Sequence, residues 1–554
     1  MNKIYIDLKS RAVFLVIFLI TFVTLLAVSF IDVFTSETIF SLSLSEYSID
    51  QIADRTIVAE KSLEATALNP VLITEGEEII RKGFPITAER YAKLEKMAET
   101  SAYIDFAAFW NAFFYLLLLG ILCFFTLSSP LLGRRLRMKE AIFFAVSFVI
   151  VYTVTIIGKK FPDFSNAFSL PIIIPASFFV MLITIMFGER LAVLASFLLF
   201  FAVLYASSFE LEAALFVLSS CICSTAIMRK INKRINITFA ALLLAVLHSV
   251  FLIIIHFVFV GNFTDFPVSM LGVALNGFIS GIFVLGFLAP LELVCNTASV
   301  FRLMDLSDLN NPLMRKMLLT APGTYNHSML VATLAENACT EIGANGLLAR
   351  VGAYYHDIGK LEQPQYFVEN QREGNKHDEI NPRLSVSVIR SHVKKGVERC
   401  NQMRFPTEVI NIIAQHHGNS VIKIFYEEAK KIDPNVSIDD YSYMGTKPTS
   451  KEAAVVMIAD TIEAACRTLE TPSVSRLEKF IHQLIGNKYE SGQLNNAYLT
   501  FNDLDTIERS FVTIMAGYYH SRLEYPNQKD PEVSNEEEPV QAKTKKKSEN
   551  ADEK

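Results

Sequence analysis

Tyr354-Tyr355-His356-Asp357-Ile358-Gly359-Lys360 is the stretch on which the fold of this chain turns. A His next to an Asp is common by chance, so its meaning comes from what flanks it. His327 precedes the pair. His392, the adjacent His416-His417 and Asp460 follow it, each in a segment that reads as helix. Five of the ten histidines and two aspartates thus gather in one region. Neutral imidazoles and carboxylates converging in the core of a helical bundle are what a metal site requires. The pattern predicts an all-α bundle carrying one two-metal site.

Helical spacing supports this. Ile412 lies four residues before His416, and Ile413 four before His417, so both histidines extend an apolar, inward-facing stripe. His392 follows Val388 by four, and Asp460 follows Val456 by four inside the apolar run 453–459. A buried Asp is costly without a partner, and Arg467, two turns on, offers a local one. His356 and Asp357 end a predicted helix over 347–358, with Gly359 as its terminator. Side chains at a helix end are free to point into a shared cavity. A lone inward His is more often a satisfied core residue, but several from separate helices, with two Asp, point to metal. His377, His482 and His520 sit in polar or surface-like contexts and stay outside the ligand set. Of these, His377 is the one expected to touch substrate. Lys360 is expected to reach a phosphate oxygen; its alternative is a solvated lysine capping helix carbonyls. Glu463 and Arg467, spaced four apart, read as a local pair orienting the Asp460 helix. Lys394 and Lys395 either help draw in an anionic substrate or form a solvated face. No G-x-G-x-x-G or Walker-type phosphate loop is present.

The 554-residue chain is 51% hydrophobic and 19% charged, against about 25% charged in an average soluble protein. The apolar excess sits in 12–295, so a polytopic membrane half precedes a globular domain large enough for its own core. A net charge of -6 argues against binding a nucleic-acid polymer. The seven cysteines show no disulfide framework and no zinc knuckle.

Residues 1–30 read as an uncleaved N-terminal anchor helix, because the apolar run 12–30 is long enough to cross the ~30 Å hydrocarbon core. Residues 31–106 read as a short extracellular α+β domain, with a strand near 56–61 and a helix over 88–97 capped by Thr87. It is either a folded spacer or a ligand sensor. Residues 107–295 hold seven more spans, including one expected over 168–187. The basic loops 134–139 and 229–234 place the N-terminus and the C-terminal domain inside. Trp110, the only tryptophan, falls at the outer end of the second span. His248 and His256, both in the seventh span, read as hydrogen-bonded packing or as a sensing pair. The soluble domain spans 300–525. The charged tail 526–554 cannot bury enough apolar surface to fold.

The order His…His-Asp…His…His-His…Asp resembles the HD-domain metal phosphohydrolases. The segments Pro322-Gly323-Thr324-Tyr325-Asn326-His327-Ser328, Tyr354 to Lys360, Ser391-His392-Val393, Gln415-His416-His417-Gly418 and Ala459-Asp460-Thr461-Ile462-Glu463-Ala464 carry the likeness further. They resemble the membrane-bound cyclic-di-AMP phosphodiesterases of the PgpH type. That resemblance covers 1–525. It implies an anchor helix, an extracellular domain, seven further helices and a cytosolic HD domain in a bacterial cell membrane. It implies hydrolysis of cyclic-di-AMP to linear pApA. By the family's pattern one metal is held by His327, His356, Asp357 and Asp460, and a second by Asp357, His392, His416 and His417, with Asp357 bridging. Two ions about 3.5–4 Å apart can share a water and present hydroxide to a phosphodiester. Mixed imidazole and carboxylate ligands suit Fe, Mn or Co better than Mg; Fe or Mn is expected, and Zn stays open. Three departures stand out. The extracellular segment keeps only the membrane-proximal part of the family's domain, Asn326 replaces a frequent second His, and Asn419 replaces a usual Thr. The Gly-Tyr-Pro element of cyclic-di-GMP-cleaving relatives is absent after Gly418. Expected partners are a cyclic dinucleotide and the lipid bilayer, with a homo-oligomer and an extracellular ligand left open. The alternatives are an HD phosphohydrolase on another cyclic dinucleotide or nucleotide and a non-catalytic HD receptor, which would lack ligands.

Overall fold

A computed structural model describes residues 2–36, 44, 47–59, 62–65, 70–99, 106–164, 166–259, 266–371, 374–469 and 473–520. The tail expected to be unfolded lies outside the described residues. The chain forms two compact units, the first over Met1–Asp308 with the short segment Arg404–Glu408, the second over the rest from Leu309. All seven cysteines are free.

In the first unit, eight helical segments are long and apolar enough to cross a membrane. The first helix runs Asn2–Ser36, past the end expected at residue 30, around the apolar run Ala12–Phe30. The others are Phe106–Thr126, Met138–Gly158, Leu170–Phe187, Glu189–Ala206, Leu211–Met228, Arg234–Val258 and Phe266–Cys295. The span expected as one helix over 168–187 is broken. A 3-10 turn, Leu170–Ile172, precedes the helix Ala176–Phe187, because Pro171 and Pro175 each remove a backbone donor. Carbonyls freed inside an apolar bundle need new partners. Asn276 supplies them, its Nδ2 donating to Ile172 O at 2.9 Å and Ile174 O at 3.1 Å. His248 is packed and hydrogen-bonded, Nδ1 to Val273 O at 3.2 Å and Nε2 to Ser177 Oγ at 3.4 Å. His256 lies between the Phe168 and Phe266 rings.

Between the first two spans, strands Ile57–Val58 and Glu78–Ile80 pair antiparallel and the helix Ala88–Glu99 follows. Ile73, Ile79, Ile80, Ile86, Leu94 and Met97 are buried there as one core. Thr87 accepts from Arg90 N as the expected cap.

The second unit is helical. Its main helices are Pro312–Thr320, Pro322–Glu341, Gly346–Tyr355, Pro382–Gln402, Thr407–Gln415, Lys423–Ile432, Lys451–Cys466, Val474–Glu490 and Phe501–His520. Their starts follow from sequence. Asn345 accepts from Leu348 N, Asn381 from Leu384 N and Ser450 from Ala453 N, each cap contributing about 1 kcal/mol. Pro322 and Pro382 open their helices where a missing N–H costs nothing. Lys451–Cys466 is apolar on all sides through Val455, Val456, Met457, Ile458 and Ala459, which are wholly buried. A helix of that kind belongs in the core. It packs on Pro322–Glu341 and Gly346–Tyr355, and it carries Asp460 inward with it. Burying each Val or Ile side chain contributes about 1.5–3 kcal/mol.

The predicted helix 347–358 ends sooner, at Tyr355, with His356 at its C-terminal boundary. Gly359 does not terminate it. Gly359 lies inside a 3-10 turn, Ile358–Glu362, and its role is close approach: a Cβ there would stand 1.9 Å from His392 O and 2.7 Å from Gly396 N. The helix before His416 likewise ends at Gln415, and both histidines occupy the turn that follows.

Candidate metal centre

His327, His356, Asp357, His392, His416, His417 and Asp460 come together from separate elements. His327 sits in the second turn of Pro322–Glu341, His392 is mid-helix in Pro382–Gln402, and Asp460 lies in the core helix. All but His417 are buried. Asp357 is central. Its Oδ2 lies 3.2 Å from His356 Nε2 and 3.6 Å from His327 Nε2. Its Oδ1 lies 3.3 Å from His392 Nε2 and 3.8 Å from His416 Nε2. Asp460 Oδ1 stands 3.2 Å from His327 Nε2, and its Oδ2 stands 3.6 Å from His417 Nδ1. Two ligand clusters result, each with one donor atom per residue within 4.8 Å of the others: His327, His356 and Asp357, and Asp357, His392, His416 and His417.

The tautomers favour a cation. His356 Nδ1 faces Ala353 O at 2.6 Å, His392 Nδ1 faces Ile389 O at 2.5 Å, and His416 Nδ1 faces Ile413 O at 2.7 Å. A carbonyl only accepts, so each Nδ1 carries the hydrogen and each Nε2 turns a lone pair inward. His392 Nε2 and His416 Nε2 then face each other at 3.3 Å, two lone pairs that a shared cation would stabilise. His356 Nε2 and Asp357 Oδ1 are buried without a hydrogen-bond partner. Burial pushes the His392 imidazole down to about 4 and that of His416 to about 3, which leaves both neutral and able to ligate near pH 7. Burial opposes charge on Asp357 and Asp460 too, but Lys360 on Asp357 and the His327 hydrogen bond on Asp460 outweigh it, so both stay ionised. These donors fit divalent transition-metal ions.

His327 differs from the other three. Its Nδ1 is hydrogen-bonded to Glu463, which also accepts from Arg467 Nη2 at 2.6 and 2.8 Å. Burial lowers its pKa, yet Asp460 and Glu463 raise it to about 10. The protein groups alone therefore keep His327 protonated near neutral pH, and loading a metal must displace that proton. Calorimetry of metal binding in buffers of different ionisation enthalpy is expected to show proton release at pH 7.5; buffer-independent heats would contradict it. Glu463→Ala removes the carboxylate that orients His327. Chelator competition is expected to show metal affinity about 10–100-fold weaker. Asp460 thus finds its partners in His327 and His417, while Arg467 serves Glu463.

Lys360 is half-buried, its Nζ 2.7 Å from Asp357 Oδ2 and 2.8 Å from Glu369 Oε1; it is not a solvated helix cap. His377 is not surface-like. It is buried, its Nε2 bonds to Tyr366 O at 2.8 Å, and its ring packs on Phe425, which makes it a strut for the 3-10 turns around 358–379. Lys394 and Lys395 pair with Glu398 and Glu362 on the exterior. The sequence paired Glu463 with Arg467 but did not show its bond to His327, and it gave no sign of Glu369 or Tyr443. Glu463 lies one turn past Asp460, a spacing that signals a shared face. Glu369 and Tyr443, which stacks on His417 at 4.2 Å, lie in loops without periodicity.

This bundle is an HD domain: residues 324–465 match the family described by that name. Residues 106–299 match the family described as "7TM receptor with intracellular HD hydrolase". With both matches in tandem, the chain belongs to this family of seven-transmembrane HD hydrolases, and it is a membrane protein. It is similar to the cyclic-di-AMP phosphodiesterase PgpH of Bacillus subtilis (strain 168), 38% identical over 64% of this chain and 51% of that one. It is also similar to the PgpH of Listeria monocytogenes serotype 1/2a (strain 10403S), 33% identical over 85% of this chain and 66% of that one. The chain thus spans between half and two thirds of these relatives' length. A crystal structure of the L. monocytogenes PgpH HD domain in complex with cyclic-di-AMP is 42% identical, with 38% of this chain covering 100% of that one at a TM-score of 0.38.

Proposed function

We propose that the HD domain is a metal-dependent phosphodiesterase hydrolysing cyclic-di-AMP to linear pApA, with its rate adjusted by the membrane-spanning part. One observation carries the reading. Asp357 turns one oxygen to His327 and His356 and the other to His392 and His416, the geometry of a carboxylate shared by two ions. His327, His356, Asp357 and Asp460 would hold one, and Asp357, His392, His416 and His417 the other, with Fe or Mn favoured by the donor set. When bound, such a pair acidifies a shared water and neutralises charge on the phosphoryl oxygens. The chain's own residues supply the rest. Backbone carbonyls behind His356, His392 and His416 hold the lone pairs inward. Lys360 offers a fixed positive charge beside Asp357 for a phosphate oxygen. His377, bonded to Tyr366 O, keeps the surrounding turns in place.

The names of the similar proteins and the missing Gly-Tyr-Pro element after Gly418 favour cyclic-di-AMP over cyclic-di-GMP. The basic loops 134–139 and 229–234, with an even number of spans, favour a cytoplasmic HD domain in a bacterial cell membrane and residues 31–106 outside. The test uses the full chain in lipid nanodiscs loaded with Mn, with the two dinucleotides compared side by side. Faster turnover of cyclic-di-AMP is expected. Equal or faster turnover of cyclic-di-GMP would contradict the substrate assignment.

A further inference from the structure

Glu369 is a carboxylate with a side chain 12% exposed, and the metal chemistry does not use it. It lies in the turn Val368–Asn370, and that turn is docked on the first turn of the helix that carries His327. Gly323 makes the docking feasible: a Cβ there would stand 1.8 Å from Glu369 O and 2.5 Å from its carbonyl carbon. Asn370 Oδ1 accepts from Thr324 N at 3.2 Å, and its Nδ2 donates to Thr324 Oγ1 at 2.8 Å. The Thr324 hydroxyl, fully buried, donates to Glu369 Oε1 at 3.0 Å. The same oxygen accepts from Lys360 Nζ at 2.8 Å. Glu369 is therefore held from the His327 helix while it holds Lys360.

A lysine has four rotatable carbons and about 2 kcal/mol of rotamer entropy, so an ammonium stays in one place only when several groups fix it. Lys360 has three: Asp357, Glu369 and the Phe367 ring, over which Nζ lies at 4.8 Å. Asp357 is the weaker anchor of the two carboxylates once its charge is shared with metal ions. Like charges in a buried site repel strongly, and a lysine held by Asp357 alone would be driven away from the centre. Among the described residues the Glu369 carboxylate bonds to Lys360 and Thr324 and to no proposed metal ligand, so its attraction for the ammonium persists.

We propose that Glu369 is a positioning residue that keeps the Lys360 ammonium beside the metal centre for a phosphate group of the substrate. The inference rests on the two-metal phosphodiesterase reading above. It also gives a reason for Gly323 and Thr324, which sit in a motif otherwise explained only through His327.

The experiment is a double-mutant cycle in the Mn-loaded full chain in nanodiscs: wild type, Lys360→Met, Glu369→Gln and the pair. Kinetics are measured with cyclic-di-AMP, metal content by elemental analysis and folding by thermal melting. Glu369→Gln is expected to lower kcat/KM about 10–100-fold while metal content stays at the wild-type level. The double variant is expected to match Lys360→Met alone, because two residues acting through one group are not additive. Additive losses, unchanged kinetics in Glu369→Gln, or loss of metal from it would overturn the proposal. If Glu369→Gln melts out, Thr324→Val, which removes only the hydroxyl bonded to Glu369, takes its place. It is expected to lower kcat/KM about fivefold and again to add nothing to Lys360→Met; an additive loss overturns the proposal here too. A wild-type chain without cyclic-di-AMP turnover would instead sink the underlying reading, so the two failures are distinct.

Discussion

Asp357→Ala is expected to lower cyclic-di-AMP hydrolysis about 10³-fold or more, since shared metal ligation contributes several kcal/mol and each 1.36 kcal/mol is a decade in rate. Among the described residues, Asp357 alone is a member of both ligand clusters. Its two oxygens reach His327, His356, His392 and His416 within 3.8 Å. Its loss also strips Lys360 of one partner at 2.7 Å. Elemental analysis of the purified variant is expected to show that metal falls from two ions per chain to one or fewer. Asp357→Asn, which keeps the volume, separates ligation from packing: it is expected to melt like wild type and still lose metal. Wild-type activity in either variant would refute the shared-carboxylate mechanism.

Gly359→Ala is expected to be nearly as damaging by a different route. The 3-10 turn after His356-Asp357 lies backbone against backbone on the His392 helix. An added methyl would meet His392 O at 1.9 Å and Gly396 N at 2.7 Å. Neither obstacle is a flexible side-chain end, so the turn must move away from the helix. Overpacking of this kind costs about 1–3 kcal/mol or more. The movement also separates Asp357 from His392, now 3.3 Å apart. Thermal melting should show a fall of several degrees, since ~1 kcal/mol shifts the midpoint by about 2–4 °C in a domain of this size. Metal affinity should fall with it. A variant with an unchanged melting point and full metal content would contradict the close-approach account.

Much of this centre was legible in the sequence because of local periodicity. Ile412 and Ile413 predicted inward-facing His416 and His417, and the apolar run before Asp460 predicted a carboxylate carried into the core. The apolar spans were legible from hydropathy alone. What escaped was set by distant approach. Nothing local to Gly359 reveals that His392 O will stand against it. Nothing near His377 reveals that Phe425 and Tyr366 will enclose it, so its polar neighbours in sequence misled. Glu369 lies in a stretch with no helical or strand period, yet it meets Thr324 from forty-five residues away. The break at Pro171 and Pro175 was written in the sequence; the strength of the surrounding apolar run hid it.

The central claim is a two-metal phosphodiesterase. Its most direct test is the rate of cyclic-di-AMP cleavage by the full chain as Mn is returned, in counted equivalents, to chelator-stripped protein. Activity is predicted to be near zero when stripped, to stay low through the first equivalent and to rise with the second. Full activity at one equivalent, or in the stripped protein, would contradict the account.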